Sequence, residues 1–233
     1  MSHIKENMAA VCKNIADAAA SCGRSPQEVT LIAVTKTYGV DAINEAIDCG
    51  AKNIGENRVQ EVVEKFDGVR PVCWHLIGHL QKNKVKYIID KAELIHSVDS
   101  FDLAKEIDKQ AKKHDKIQRV LLEVNVSGEE SKFGIAPDLC EELCHRISKE
   151  LTNVKIEGLM TIAPFTDDET ILVEVFKGLK NLSEEISSKN IPNVSMKELS
   201  MGMTNDYQLA IKHGATMVRV GTGIFGKRDY TNG

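Results

Sequence analysis

The residues best suited to chemistry are a lysine at the end of an apolar run and two short glycine stretches far downstream. Lys36 closes Leu31-Ile32-Ala33-Val34-Thr35, while Ser200-Met201-Gly202 and Gly221-Thr222-Gly223 lie near the other end, with Arg219 between them. A lysine amine at a strand tip can condense with an aldehyde. Glycines that permit close backbone approach, flanked by the hydroxyls of Ser200 and Thr222, can wrap a phosphate. A phosphate site alone would also suit a sugar-phosphate enzyme. An aldehyde and a phosphate on one small molecule describe pyridoxal 5'-phosphate, the leading expectation for the ligand.

Arg219 stands two residues before Gly221, on the same face of the predicted strand, and so points into the same region. It would either pair with a barrel-wall carboxylate or face the pyridine nitrogen of such a ligand. In the second case a guanidinium that stays protonated leaves that nitrogen unprotonated. The ring is then a weaker electron sink than one paired with an aspartate.

Positioning these residues requires a repeating scaffold. Short runs rich in β-branched residues alternate with stretches of helical period, the pattern of parallel β/α units. Strands are predicted at 29–36, 52–55, 72–78, 94–98, 119–126, 154–160, 197–200 and 217–221. The helices fall at 40–49, 58–66, 81–90, 100–114, 137–149, 167–189 and 204–213. An opening helix over 3–21 carries Ile4, Met8, Val11, Ile15, Ala18 and Ala19 at helical spacing and stops at Gly23 and Pro26. Several strands are apolar without alternation, as when both faces are covered. The simplest closure is an α/β fold of the TIM (β/α)8 barrel class with an additional N-terminal helix; an open doubly wound sheet is the alternative. With 233 residues and no visible linker, a single domain over 1–233 is expected.

In a barrel the carboxyl ends of the strands share one mouth. Lys36, Glu56, Asn57, Gly78, His79, Asp99, Asn125, Thr161, Ser200, Arg219, Gly221 and Thr222 all fall at such ends. Lys132, after the fifth strand, falls on the same side and is read as a candidate for assisting ligand exchange. His75 and His79 lie on a strand and its loop without the intervening pattern of metalloproteases, and Cys140 and Cys144 lack a second ligand pair, so no metal is expected.

The composition is that of an ordinary soluble protein, 42% hydrophobic and 27% charged, and the net charge of −4 gives no reason to expect nucleic acid. No secretion signal and no membrane-length apolar run is visible, which makes cytoplasmic residence the default. The six cysteines are expected to stay reduced, in a chain large enough to fold without staples. Monomer and homodimer both remain open.

The motifs resemble one family, the YggS/PROSC family of pyridoxal phosphate homeostasis proteins. The matching stretches are Ala33-Val34-Thr35-Lys36, Gly55-Glu56-Asn57 with Val59-Gln60-Glu61, Trp74-His75-Leu76-Ile77-Gly78, and Gly158-Leu159-Met160. Leu199-Ser200-Met201-Gly202-Met203 and Val218-Arg219-Val220-Gly221-Thr222-Gly223 follow in order. The resemblance implies a barrel like the amino-terminal domain of alanine racemase, with pyridoxal 5'-phosphate held as a Schiff base on Lys36. It implies phosphate contacts at Ser200, Gly202, Gly221 and Thr222, Arg219 near the ring nitrogen and Asn57 beside the cofactor. It departs at Arg58, where a tyrosine is usual, and at His79.

The family's role is to balance vitamin B6 and amino-acid pools without a robust reaction, so the expectation is a carrier that passes the cofactor to apo enzymes. The alternative is a fold-type III amino-acid racemase of low activity. Racemases take a second acid/base from a carboxyl-terminal β domain, which is not expected here because the chain stops at Gly233; Tyr230 is a poor substitute.

Overall fold

The computed structural model describes residues 3–129 and 131–226. Glu130 and Tyr230 lie outside them. Helix α1 (Ile4–Ser21) precedes β1 (Thr30–Val34), α2 (Val40–Asp48), β2 (Asn53–Glu56), α3 (Val59–Lys65), β3 (Cys73–Leu76) and β4 (Ala92–Val98). Then come α4 (Phe101–Lys113), β5 (Gln118–Glu123), α5 (Cys140–Glu150), β6 (Val154–Met160) and α6 (Glu169–Ser188). The last elements are β7 (Val194–Met203), α7 (Tyr207–Lys212), β8 (Met217–Val220) and α8 (Thr222–Phe225). Each strand pairs with the next in parallel and β8 returns to β1, closing the barrel in chain order. The closed barrel is therefore the architecture, and the open sheet is excluded.

Two layers of apolar packing follow from strand alternation. Outward residues such as Ala33, Ile54, Ile95, Val120, Leu159 and Val218 join the helix faces in one large core. Inward residues Ile32, Leu94, Leu121, Met160 and Met217 form a small separate cluster that fills the barrel floor. Two residues further along the same strands the inward positions become polar, with His96, Glu123 and Arg219 all buried. Helix α1 buries the six apolar residues its periodicity marked and packs on α2, α7 and α8, covering the seam where the barrel closes.

Besides shifts of up to three residues at other boundaries, three elements differ in kind from the sequence reading. The expected helix over 81–90 is a 3-10 segment, Lys82–Tyr87, packed on α3 and α4 with Val85, Ile88 and Ile89 buried. Such a short pattern does not separate the two helix types. Strand β7 continues past Ser200 to Met203, so Gly202 belongs to a strand and not a loop. There the register with β8 shifts, Gly202 takes φ +89°, and a Cβ would fall 2.6 Å from that of Ala210 on α7. The glycine thus allows strand and helix to touch. Finally, Thr222 opens a four-residue helix where only a loop was expected.

Candidate functional site

Lys36 lies two residues beyond β1, in a turn whose next residue, Thr37, has φ +71°. Asn57 follows β2 directly. Ser200 and Gly202 are on β7, Arg219 on β8, Gly221 just after it, and Thr222 at the start of α8. The strands run β7, β8, β1, β2 around the barrel, so the seven residues occupy one arc of the mouth. Register carries this: Ile32 pairs with Arg219 and Val34 with Gly55. A further tie joins Lys36's turn to the last helix, because Tyr38 stacks on Phe225 with ring centroids 4.5 Å apart and its hydroxyl donates to the Gly226 carbonyl at 3.1 Å.

Arg219 is 4% exposed. Its Nη1 donates to Ser200 Oγ at 2.6 Å and its Nη2 to the Thr161 carbonyl at 2.9 Å. Among the described residues no carboxylate lies within ion-pair distance of it. Burial pulls the guanidinium down to about 10, with the charges of Asp206 and Glu123 opposing, so it remains a cation at neutral pH. Among the described residues, the hydrogen-bond partners of this buried positive charge are neutral oxygens.

Ser200 is fully buried and its hydroxyl is engaged inside the barrel. Asn53 Oδ1 lies 3.1 Å from His75 Nε2, His75 Nδ1 2.9 Å from His96 Nε2, and His96 Nδ1 2.9 Å from Ser200 Oγ. Burial depresses both rings, so they are neutral at neutral pH; with Asn53 accepting, each then carries its proton on Nε2, and the Ser200 hydroxyl donates to His96 Nδ1 while accepting from Arg219. The hydroxyl that borders the glycine loop is instead that of Thr204, whose Oγ1 accepts from the Gly221 N–H at 3.3 Å. Of the two, Thr204 is the better placed to meet a phosphate there. The sequence reading had Thr204 in the segment after the seventh strand but gave the hydroxyl role to Ser200 and Thr222.

Glu123, the last residue of β5, was missed. It is 4% exposed, one carboxylate oxygen has no partner, and burial together with the Asp99 charge raises it to about 7 against the pull of Arg219. Inward parity with Leu121 was the available signal. Elsewhere on the mouth, Asn125 is occupied with its own loop: its Nδ2 donates to the Glu129 carbonyl and its Oδ1 accepts from the Gly128 N–H. Lys132 is half-buried on that loop, whose Phe133 stacks on His79 with centroids 4.3 Å apart. Arg58 is exposed at the start of α3. Cys140 and Cys144 are buried in the core.

Stability should depend on pH through this interior. Burial, with the Arg119 charge adding to it, depresses His75 to about 4, against roughly 6.5 for an unfolded histidine. The unfolded chain therefore binds the extra proton first. Stability is lost as pH falls from about 6.5 toward 4, by about 3 kcal/mol for this one ring. Glu123 works in the opposite direction: its raised value favours the folded state in acid, and that contribution fades as pH rises through about 7. Glu123→Gln should therefore steepen the acid loss measured by denaturant unfolding between pH of about 7 and 5. An unchanged slope would mean that Glu123 is ionised in the folded protein.

A closed parallel barrel carrying a lysine past its first strand and a buried arginine on its eighth defines a class, and comparison with known proteins places the chain in it. The sequence model of the alanine racemase N-terminal domain matches residues 7–229. The chain is 43% identical over 227 residues to a pyridoxal phosphate homeostasis protein of Aquifex aeolicus, covering 97% of this chain and 98% of that one. It is 38% identical over 237 aligned positions to the protein of that name in Escherichia coli K12, covering 99% of both. The solved structure of PipY from Synechococcus elongatus with PLP bound superposes with a TM-score of 0.79 at 35% identity, covering 91% of this chain and 100% of that one. Alanine racemase of Clostridium difficile shares the fold, with a TM-score of 0.74 at 16% identity; the match covers 97% of this chain and 58% of the racemase. The chain belongs to the alanine racemase N-terminal domain family and, within it, to the pyridoxal phosphate homeostasis proteins.

Proposed function

We propose that this chain binds pyridoxal 5'-phosphate on the β7–β8–β1–β2 arc, with Lys36 as the point of covalent attachment, and acts as a carrier that balances the cofactor pool. The observation that carries the reading is Arg219, a buried cation held by two neutral oxygens next to the strand end that presents Lys36. A guanidinium can donate to an aromatic nitrogen but does not surrender its proton to it at neutral pH. The names of the relatives and the ligand in the PipY structure point to the same molecule.

The residues present fit that group. Lys36 would hold the aldehyde carbon, Arg219 would face the ring nitrogen, and Asn57 would lie beside the ring. The Gly221 and Thr222 segment with the Thr204 hydroxyl would receive the phosphate, since the first N–H groups of α8 have no intrahelical acceptor. Gly202 contributes by allowing β7 to approach α7, and Ser200 by holding Arg219. When bound, the cofactor supplies an aldehyde for condensation with amines and a ring that can withdraw electrons. Arg219 keeps that withdrawal weak, which favours storage over turnover. Apo enzymes that need the cofactor are the partners such a carrier would serve. No described helix is long and apolar enough to cross a membrane.

The test is an absorption spectrum of protein incubated with pyridoxal 5'-phosphate, then borohydride reduction and peptide mass mapping. A visible band and a pyridoxyl group on Lys36, followed by transfer of unreduced cofactor to an apo enzyme, is the expected result. A colourless protein with no adduct would overturn the reading. Rapid exchange of an amino acid's α-hydrogen for deuterium would replace the carrier with a racemase.

A further inference from the structure

The two peptide groups that flank the Lys36 Cα are both held by one buried charged cluster. Lys65, at the end of α3, donates to the carbonyl of Thr35 at 3.1 Å, to Glu56 Oε1 at 2.8 Å and to Glu61 Oε2 at 2.8 Å. Those three acceptors match the three N–H donors of an ammonium group. Glu56 Oε1 also accepts from the Thr35 hydroxyl at 2.8 Å, and Glu61 Oε2 accepts from the Thr37 N–H at 2.6 Å. The Thr35 carbonyl belongs to the peptide before Lys36, and the Thr37 N–H to the peptide after it. Both backbone torsions of Lys36 are thereby tied to α3 and β2.

The local backbone needs such a tie. Thr37 is β-branched yet has φ +71°, a conformation that persists only where surrounding contacts over-determine it. Lys65 and Glu56 lie in the interior, and the Lys65 and Glu61 side chains are 11% and 16% exposed, so water does not loosen the cluster. Glu61 and Lys65 are four residues apart on one helix face, and Glu56 closes the preceding strand. Burial raises Glu56, whose second oxygen has no partner, while the bonds from Lys65 and Thr37 outweigh burial and hold Glu61 low. The cluster thus keeps an ionised acceptor under the Thr37 amide.

We propose that Lys65, Glu56 and Glu61 are positioning residues for the Lys36 amine: they lock its turn so that the side chain is presented at the mouth ready to meet an aldehyde. This rests on the reading of Lys36 as the attachment point. The cluster itself touches no ligand. Its effect should therefore appear in covalent attachment and be absent from recognition of ring and phosphate, which belong to β7, β8 and α8.

Glu61→Ala removes the acceptor under Thr37 without emptying the Lys65–Glu56 pair. Two ligands separate the contributions, pyridoxal 5'-phosphate and its aldehyde-free analogue 4'-deoxypyridoxine 5'-phosphate. Affinity for the aldehyde should fall about tenfold to a hundredfold, the scale of a displaced reacting group, while the analogue binds as to wild type. In cofactor-free protein the Thr37 amide should exchange with solvent faster by about tenfold or more, with amides of β1 unchanged. Glu61→Gln, whose amide oxygen can still accept from Thr37, should recover most of both effects. Equal losses for the two ligands would reduce the cluster to general stability and overturn the proposal, as would an unchanged aldehyde affinity. Should Glu61→Ala fail to fold, Glu61→Asp, too short to reach both partners, takes the same readings. Failure of wild type to form the adduct would instead overturn the site reading itself, so the two failures are told apart.

Discussion

Lys36→Ala is expected to yield a folded protein that carries no reducible pyridoxyl group after incubation with pyridoxal 5'-phosphate and borohydride. The substitution changes a half-buried side chain in a turn whose backbone is held by neighbouring residues, so the protein should still fold. Arg219, Thr204 and the start of α8 are untouched. Residual binding should therefore persist without a covalent bond, weaker by at least about a hundredfold, or about 2.8 kcal/mol. Equilibrium titration and mass mapping read both quantities. Lys132→Ala serves as the control and should keep its adduct on Lys36. An adduct on another lysine in Lys36→Ala would show that the mouth offers a second competent amine.

Lys65→Met should produce the largest loss of stability. Lys65 neutralises two carboxylates and satisfies a backbone carbonyl, and the methionine leaves Glu56, fully buried, with its charge uncompensated. Removing one partner of a buried pair typically costs about 3–5 kcal/mol. For a chain of this length that corresponds to a fall in Tm of roughly 6–20 °C. Much of the cost is the stranded carboxylate and not the lost attraction, so the double variant Lys65→Met with Glu56→Gln should recover a substantial part. Thermal unfolding of both variants decides it. A double variant no better than the single one would place the cost in the lost bonds from Lys65 to the Thr35 carbonyl and to Glu61.

Lys36 stood out from sequence because a lysine after an apolar β-branched run must emerge at a strand end, whatever the fold. The glycine stretch at 221–223 was legible for the same reason, as a break directly after an apolar strand. Ser200 shows the limit of that logic. Its placement beside Gly202 suggested a phosphate loop, yet the strand continues through a bulge to Met203, and the hydroxyl turns inward to Arg219 and His96. A bulge depends on how two strands fit together, and local propensity does not encode it.

By itself the sequence determined the order of β and α elements, the amphipathic face of α1, and the strand-end location of Lys36, Asn57, Arg219 and Gly221. All of these follow from periodicity along the chain. Only the tertiary structure decided which strand ends are neighbours. It alone brought Asn53, His75, His96, Ser200 and Arg219 into one line of hydrogen bonds, and set Lys65 beneath the turn of Lys36. The physical reason is that a hydrogen bond between residues a hundred positions apart depends on barrel closure, shear and register, which arise from the packing of the whole set of strands.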